Sequence, residues 1–221
     1  MTENREPSGD TITQAASKVV SEGDDVRRRV RELTLEALKN RRFDRDAIRE
    51  VVRAVSEGVS LGAPSSRVGL RQALAEAFRG MDQALTKSVE AGHEAIRQLV
   101  ATGRGISERE LKQALAGLEK IEEDFVATVS QVAESASERV RPEMRELAAQ
   151  ATRAGTQTGR QTAAMMTELA RRMASSSIEI TLSGIELAGE FGVRFAQLAG
   201  GVLAGMADAL DKSEGGTKKS S

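Results

Sequence analysis

The sequence predicts an all-α protein: an elongated bundle of long amphipathic helices with 11-residue apolar periodicity, preceded by an N-terminal helical hairpin. Three observations predict it. Apolar or small residues recur at 4-4-3 spacing in three long stretches. The first is Leu70, Leu74, Phe78, Met81, Leu85, Val89, Gly92, Ile96, Val100, and the second is Ile121, Phe125, Val129, Val132, Ala136, Val140. The third is Leu187, Phe191, Phe195, Leu198, Val202, Met206, Ala209. Eleven residues in three turns is about 3.67 per turn, close to a straight α-helix. Next, the chain has five Phe and no Trp or Tyr, so Ala, Leu and Val must fill its core, as they do between packed helices. Last, no run of alternating apolar and polar residues competes for strand.

Taken in order, residues 1–22 read as a flexible leader. Its first ten residues are polar and carry Pro7 and Gly9, and a weak helix through Ile12, Val19 and Val20 follows. Residues 23–61 form the hairpin. Asp24 and Asp25 favour a helix start, and Val26, Val30, Leu33, Ala37 and Leu38 share one face of a helix over 24–39. Asp44 is a good N-cap for a second helix over 45–60, with Ile48, Val51, Val52, Val55 and Val59 on its apolar face. The run Gly62-Ala63-Pro64-Ser65-Ser66 is a turn.

Residues 66–212 form the long-helix bundle. Ser65 or Ser66 caps a helix that runs to 102, where Gly103 and Gly105 end it. Ser107 with Glu110 is a capping box for a second helix reaching about Val140. Pro142 disfavours helical geometry at Arg141, which places a stop or kink there. A weaker Ala- and Thr-rich helix spans 143–174, with Gly155 and Gly159 inside it. Ser176 with Glu179 is a second capping box, opening a third long helix over 177–212. Residues 213–221, rich in Gly, Ser and Lys, form a disordered tail.

The C-terminal helix carries the unusual surface. On a helical wheel Glu179, Ser183, Glu186, Glu190, Arg194, Gln197, Asp208 and Asp211 fall within an arc of about 100°, and the remainder is apolar or small. Leu187, Phe191, Phe195, Leu198, Val202 and Met206 form the candidate interaction stripe. Gly192, Ala196, Gly200 and Ala204 form a ridge that lets another helix approach closely. Each of Gly184, Gly189, Gly192, Gly200, Gly201 and Gly205 costs about 1 kcal/mol relative to Ala in a helix interior. This helix therefore forms when something covers its apolar face: the bundle itself, a second copy, or a hydrophobic phase. Its longest charge-free run, residues 195–207, is too short to cross a bilayer.

Candidates for chemistry are few. The chain has no Cys, which excludes disulfides and thiolate sites. His93 is the only histidine. Glu90-x-x-His93 has the spacing that di-iron bundles use, but no second copy exists. Glu122, Glu123 and Asp124 read as a solvated helix face beside Lys120. Gly103-x-Gly105 has neither the strand nor the Lys-Ser/Thr of a phosphate loop. Catalytic, cofactor and metal residues are accordingly none, and the protein reads as a non-enzyme. With 32 basic against 33 acidic residues the net charge is −1, which gives no pull toward nucleic acid. A local exception is Arg27, Arg28, Arg29, Arg31, Lys39, Arg41, Arg42 and Arg45, interleaved with acids. They carry the alternative reading: a regulatory or nucleic-acid-binding hairpin.

The long Ala-rich helices, the absence of Cys and Trp, and the segment Leu198-Ala-Gly-Gly-Val-Leu-Ala-Gly-Met206 resemble the phasins. Those are bacterial helical proteins that coat polyhydroxyalkanoate granules and self-associate. The likeness covers residues 107–212, not the hairpin, and phasins have no catalytic residues to carry over. The chain is also similar to proteobacterial helical proteins of this length, which add no function. The polar first ten residues lack the apolar core of a secretory signal and read as cytoplasmic, and the resemblance implies a place peripheral to a granule or membrane surface. Its partners would be further copies of itself or a hydrophobic surface, and it would need no cofactor.

Overall fold

The computed structural model describes residues 8–39, 41, 44–101, 108–175 and 188–215. These form eight α-helices: α1 (Gly9–Glu22), α2 (Val26–Lys39), α3 (Arg45–Gly62), α4 (Leu70–Ala101), α5 (Glu108–Ser135), α6 (Arg141–Ala154), α7 (Gln157–Ser175) and α8 (Ala188–Gly215). A 3-10 turn, Ala63–Ser65, follows α3. The all-α expectation holds, with no strand among the described residues. The glycines at 103, 105 and 184, the Ser107 and Ser176 caps with Glu179, Leu187, and residues 216–221 of the tail lie outside the described residues.

The leader reading is corrected from residue 9 onward. Ser8 caps α1, its Oγ accepting from the Thr11 amide at 3.3 Å. Ile12, Ala16 and Val20, one turn apart, are fully buried. Alanine is the reason the helix looked weak: it adds little hydropathy, yet it lets two helices come close. Gly23 ends α1 in the left-handed conformation, φ 79°, which a side chain would strain. The helix packs along α3, and the approach is close enough to require glycine. A Cβ on Gly58 would collide with the Thr13 carbonyl and lie 2.7 Å from Ala16 Cβ. One on Gly62 would collide with the Ser17 carbonyl.

The hairpin is not a separate unit either. α2 lies chiefly on α4, and α3 lies chiefly on α1 and α5. One apolar core runs without interruption from Ile12 in α1 to Ala207 in α8. α4 is its spine, touching α2, α7 and α8, and its buried residues include Leu74, Met81, Leu85, Val89 and Ile96 from the sequence stripe. Phe125 on α5 is 1% exposed and its ring sits 4.7 Å from Phe78. Asp44 caps α3 as read, accepting from the Ala47 amide at 2.9 Å. α4 begins at Leu70 rather than 66, because Gly69 adopts φ 87° and delays the helix.

Two long-helix boundaries differ from expectation. α5 ends at Ser135, and a turn over residues 136–140 follows. Pro142 then sits in the first turn of α6, where its missing N–H costs nothing. The stretch 143–174 is two helices, broken at Gly155, whose φ is 72°. At the other end α8 continues to Gly215, so the tail read from 213 is helical for three more residues.

Candidate functional site

α8 is seated on α4 and, less extensively, on α2. Its most buried line is Ala199, Leu203 and Ala207, one turn apart. The stripe residues Phe195, Leu198, Val202 and Met206 form one shoulder of this line, half-buried and packed against the core. Ala196, Gly200 and Ala204 form the other shoulder, also half-buried. Phe191 and Gly192 lie in the first turns of α8. The sequence thus marks both shoulders and misses the line between them, because two of its three residues are alanines. Among the described side chains of α8, Leu203 is the one large side chain that is fully buried. A groove of about 390 Å³ opens beside Ala207 of α8, lined by Val19, Leu33 and Leu35 and by the charged Arg29, Arg31, Glu32 and Glu36. Away from α4, Gln197, Gly201, Gly205 and Ala209 are exposed. A Cβ on Gly200, Gly201 or Gly205 would meet nothing within 4 Å among the described residues.

The carboxylates expected on a solvated face are instead clamps. Glu122 on α5 accepts from the Thr156 amide and hydroxyl, both at 2.8 Å. Asp124, its side chain 8% exposed, takes a two-pronged pair from Arg45, with Nη2 donating to Oδ1 at 2.7 Å, and Arg49 lies 3.7 Å away. Only Glu123 of the three is exposed. The run of three acids carried no sign of this, since the partners are 34 and 79 residues distant. Glu90 accepts from Lys87 at 2.6 Å, and His93 is half-buried on the same helix. No group of three or more His, Cys, Asp or Glu suited to a metal occurs among the described residues.

The arginines of the basic region are largely engaged. Arg27 forks onto Glu76 at 2.7 and 3.0 Å. Arg28 reaches Asp25 and Glu32, Arg29 reaches Glu22, and Arg41 reaches Glu50. Arg42 lies outside the described residues. The Arg45 hydrogen bond holds the Asp124 carboxyl below the usual carboxylate range, with the charges of Arg45, Arg49 and Lys120 adding to it. Arg27 does the same to Glu76, helped by Arg79. A carboxylate whose folded pKa is lowered contributes stability above its unfolded value of about 4, lost as pH falls through the folded value. The melting temperature should therefore fall as pH drops below about 4. In Asp124→Asn part of that fall should be missing, because the pair is already broken at neutral pH. Melting curves between pH 7 and 2 that superimpose after scaling would count the pair out as a source of the acid sensitivity.

A family model described as a family of unknown function, DUF6781, matches residues 2–212. The chain belongs to this family. No curated protein and no solved structure matches the chain. The DUF6781 match takes in α1, the hairpin and the long helices together, in keeping with the single core they share. No helix among the described residues is long and apolar enough to cross a membrane.

Proposed function

We propose that this DUF6781 protein is a non-enzymatic interaction protein whose working element is α8, which self-associates or coats a hydrophobic surface in the manner of a phasin. The observation that carries the reading is how lightly α8 is held. Its central line is two alanines and one leucine, while Phe195, Leu198, Val202 and Met206 stay half-exposed at the edge. Burying a side chain of that size completely is worth about 1.5–3 kcal/mol, so a second surface that finishes the burial gains affinity. Of the six glycines of α8, the five that precede its last residue weaken the isolated helix by about 1 kcal/mol each relative to Ala, so a covering partner also stabilises the helix itself. The reading through the basic hairpin gains no support from arginines already paired with carboxylates.

The test is density fractionation of the host lysate, with sedimentation and flotation of the purified protein against vesicles and emulsified neutral lipid. Wild type should sediment as an oligomer or float. Phe195→Asp should weaken either behaviour about tenfold or more, while circular dichroism retains the helices of α1–α5. A wild type that is monomeric and stays in the soluble layer, with Phe195→Asp indistinguishable from it, would sink the proposal.

A further inference from the structure

α1 and α2 are joined by Gly23, Asp24 and Asp25, and two of these residues are held in the left-handed region. Gly23 adopts φ 79° at no steric cost, having no side chain. Asp25 adopts φ 47°, the one positive φ outside glycine among the described residues. A side chain there is strained and stays only where its surroundings hold it. The turn is also tight, since a Cβ on Gly23 would lie 3.2 Å from the Arg67 Cβ and 3.3 Å from the Val68 amide nitrogen.

These residues have an unstrained alternative, which is to continue the helix. The buried faces on either side are in phase for it. On one continuous helix at 100° per residue, Ile12, Ala16 and Val20 of α1 and Val26, Val30 and Thr34 of α2 fall within an arc of about 120°. Of the residues the two helices bury, Leu35 falls outside it. Straightened, residues 9–39 form a rod about 46 Å long with one buried stripe. The seat of α1 is meanwhile far along the chain: it packs chiefly on α3 and less on α2. Gly58 and Gly62 make room there for the Thr13 and Ser17 carbonyls, and the Thr13 hydroxyl donates to the Ala54 carbonyl at 3.0 Å. Nothing in that seat requires α1 and α3 to belong to one chain.

We infer that two copies of this chain exchange α1, each straightening residues 23–25 and laying its α1 on the α3 of the other. The contacts of α1 with α3 are remade in the exchanged pair, so the balance is set at the turn. Two left-handed turns are traded for two stretches of helix, while the pair of Arg29 with Glu22 at 2.7 Å, which crosses the turn, holds it closed. The inference does not rest on α8 and concerns the other end of the molecule.

Because the chain has no cysteine, a designed disulfide shows which copy supplies α1. Thr13→Cys with Ala54→Cys in one chain, concentrated and then oxidised, should give covalent dimers on a denaturing gel beside chains linked internally. Adding Gly23→Ala strains the closed turn and favours the helix, and should move most of the protein into the linked dimer. Without cysteines, sedimentation should show Gly23→Ala tightening the monomer–dimer constant by about tenfold or more, since each dimer straightens two turns. Asp25→Gly relaxes the closed turn and weakens the helix, and should loosen the constant by a similar factor. Phe195→Asp should change neither result. A Gly23→Ala protein that melts lower yet stays monomeric would overturn the exchange. So would one that dimerises with every link inside a single chain. Dimers of Gly23→Ala that Phe195→Asp abolishes would belong to α8, leaving that reading standing and this one overturned.

Discussion

Gly58→Leu is expected to destabilise the protein by about 3 kcal/mol or more, at the upper end of what overpacking costs. In a chain of this size that is a drop of roughly 6–12 °C in melting temperature. The reason is backbone, not side-chain, crowding. Gly58 and Gly62 sit one turn apart on α3, and the carbonyls of Thr13 and Ser17, also one turn apart on α1, occupy the space a Cβ would need. A backbone oxygen cannot rotate aside as a side chain can, so α1 must move as a body. That movement would break the Thr13 hydroxyl's 3.0 Å bond to the Ala54 carbonyl and expose Ile12, Ala16 and Val20. α1 would lift off first, and the core beneath α3 would follow. Gly205→Ala is the matched control. It adds a Cβ that meets nothing within 4 Å among the described residues and should stabilise α8 by up to about 1 kcal/mol through helix propensity. A Gly58→Leu protein that melts within about a degree of wild type would mean that α1 does not sit against α3 at this distance.

The contrast between those glycines explains what could be read in advance. Long helices announce themselves through large residues at regular spacing, and α4, with Leu74, Met81, Leu85, Val89 and Ile96 all buried, follows its stripe closely. Small residues carry no such signature. Gly58 and Gly62 have the same four-residue spacing as Gly192, Ala196, Gly200 and Ala204. Only the three-dimensional neighbour decides that the first pair is a backbone contact, while a Cβ on Gly200 would meet nothing within 4 Å among the described residues. The same blindness hid α1, whose buried face includes Ala16, and the central line of α8, which is Ala199 and Ala207 around Leu203. Charge patterns fail for a related reason. Glu122 and Asp124 look like solvent-facing acids because their partners, Thr156, Arg45 and Arg49, are brought to them only by the packing of α5 on α3 and α7. The candidate surface was legible because its bulky residues, Phe195, Leu198, Val202 and Met206, lie along one flank of that line. The helix break at Gly155 was not, because the group that restarts the chain as α7 is supplied by a different helix.

That group is Asp82, and Asp82→Ala is expected to cost about 3–5 kcal/mol, since each buried polar group left without a partner costs about 1–3 kcal/mol. Asp82 lies among the core residues of α4 and is 9% exposed. Its carboxylate accepts from the amides of Gln157 and Thr158 at 2.8 and 3.0 Å and from the Thr158 hydroxyl at 2.7 Å. It therefore serves as an N-cap donated across the bundle, and its negative charge sits at the positive end of α7. Thr156 supplies the in-chain cap, its Oγ1 accepting from the Gly159 amide at 3.0 Å, and Glu122 fixes Thr156 in turn. Two carboxylates from α4 and α5 thus hold the first turn of α7 in register with both. Removing Asp82 orphans the buried Thr158 amide and the Gln157 amide at the edge of the core, so α7 should fray from its start and α6 should lose its anchor. Asp82→Asn keeps one oxygen and should lose about half as much. Glu122→Gln keeps the oxygen that serves Thr156 and should cost under about 1 kcal/mol, because both hydrogen bonds survive and only the charge is lost. Denaturant unfolding would rank the three variants. Amide hydrogen exchange at Gln157 and Thr158 would locate the damage, with protection lost in Asp82→Ala and retained in Glu122→Gln. An Asp82→Ala protein within about 1 kcal/mol of wild type would show that water, not the carboxylate, satisfies these amides.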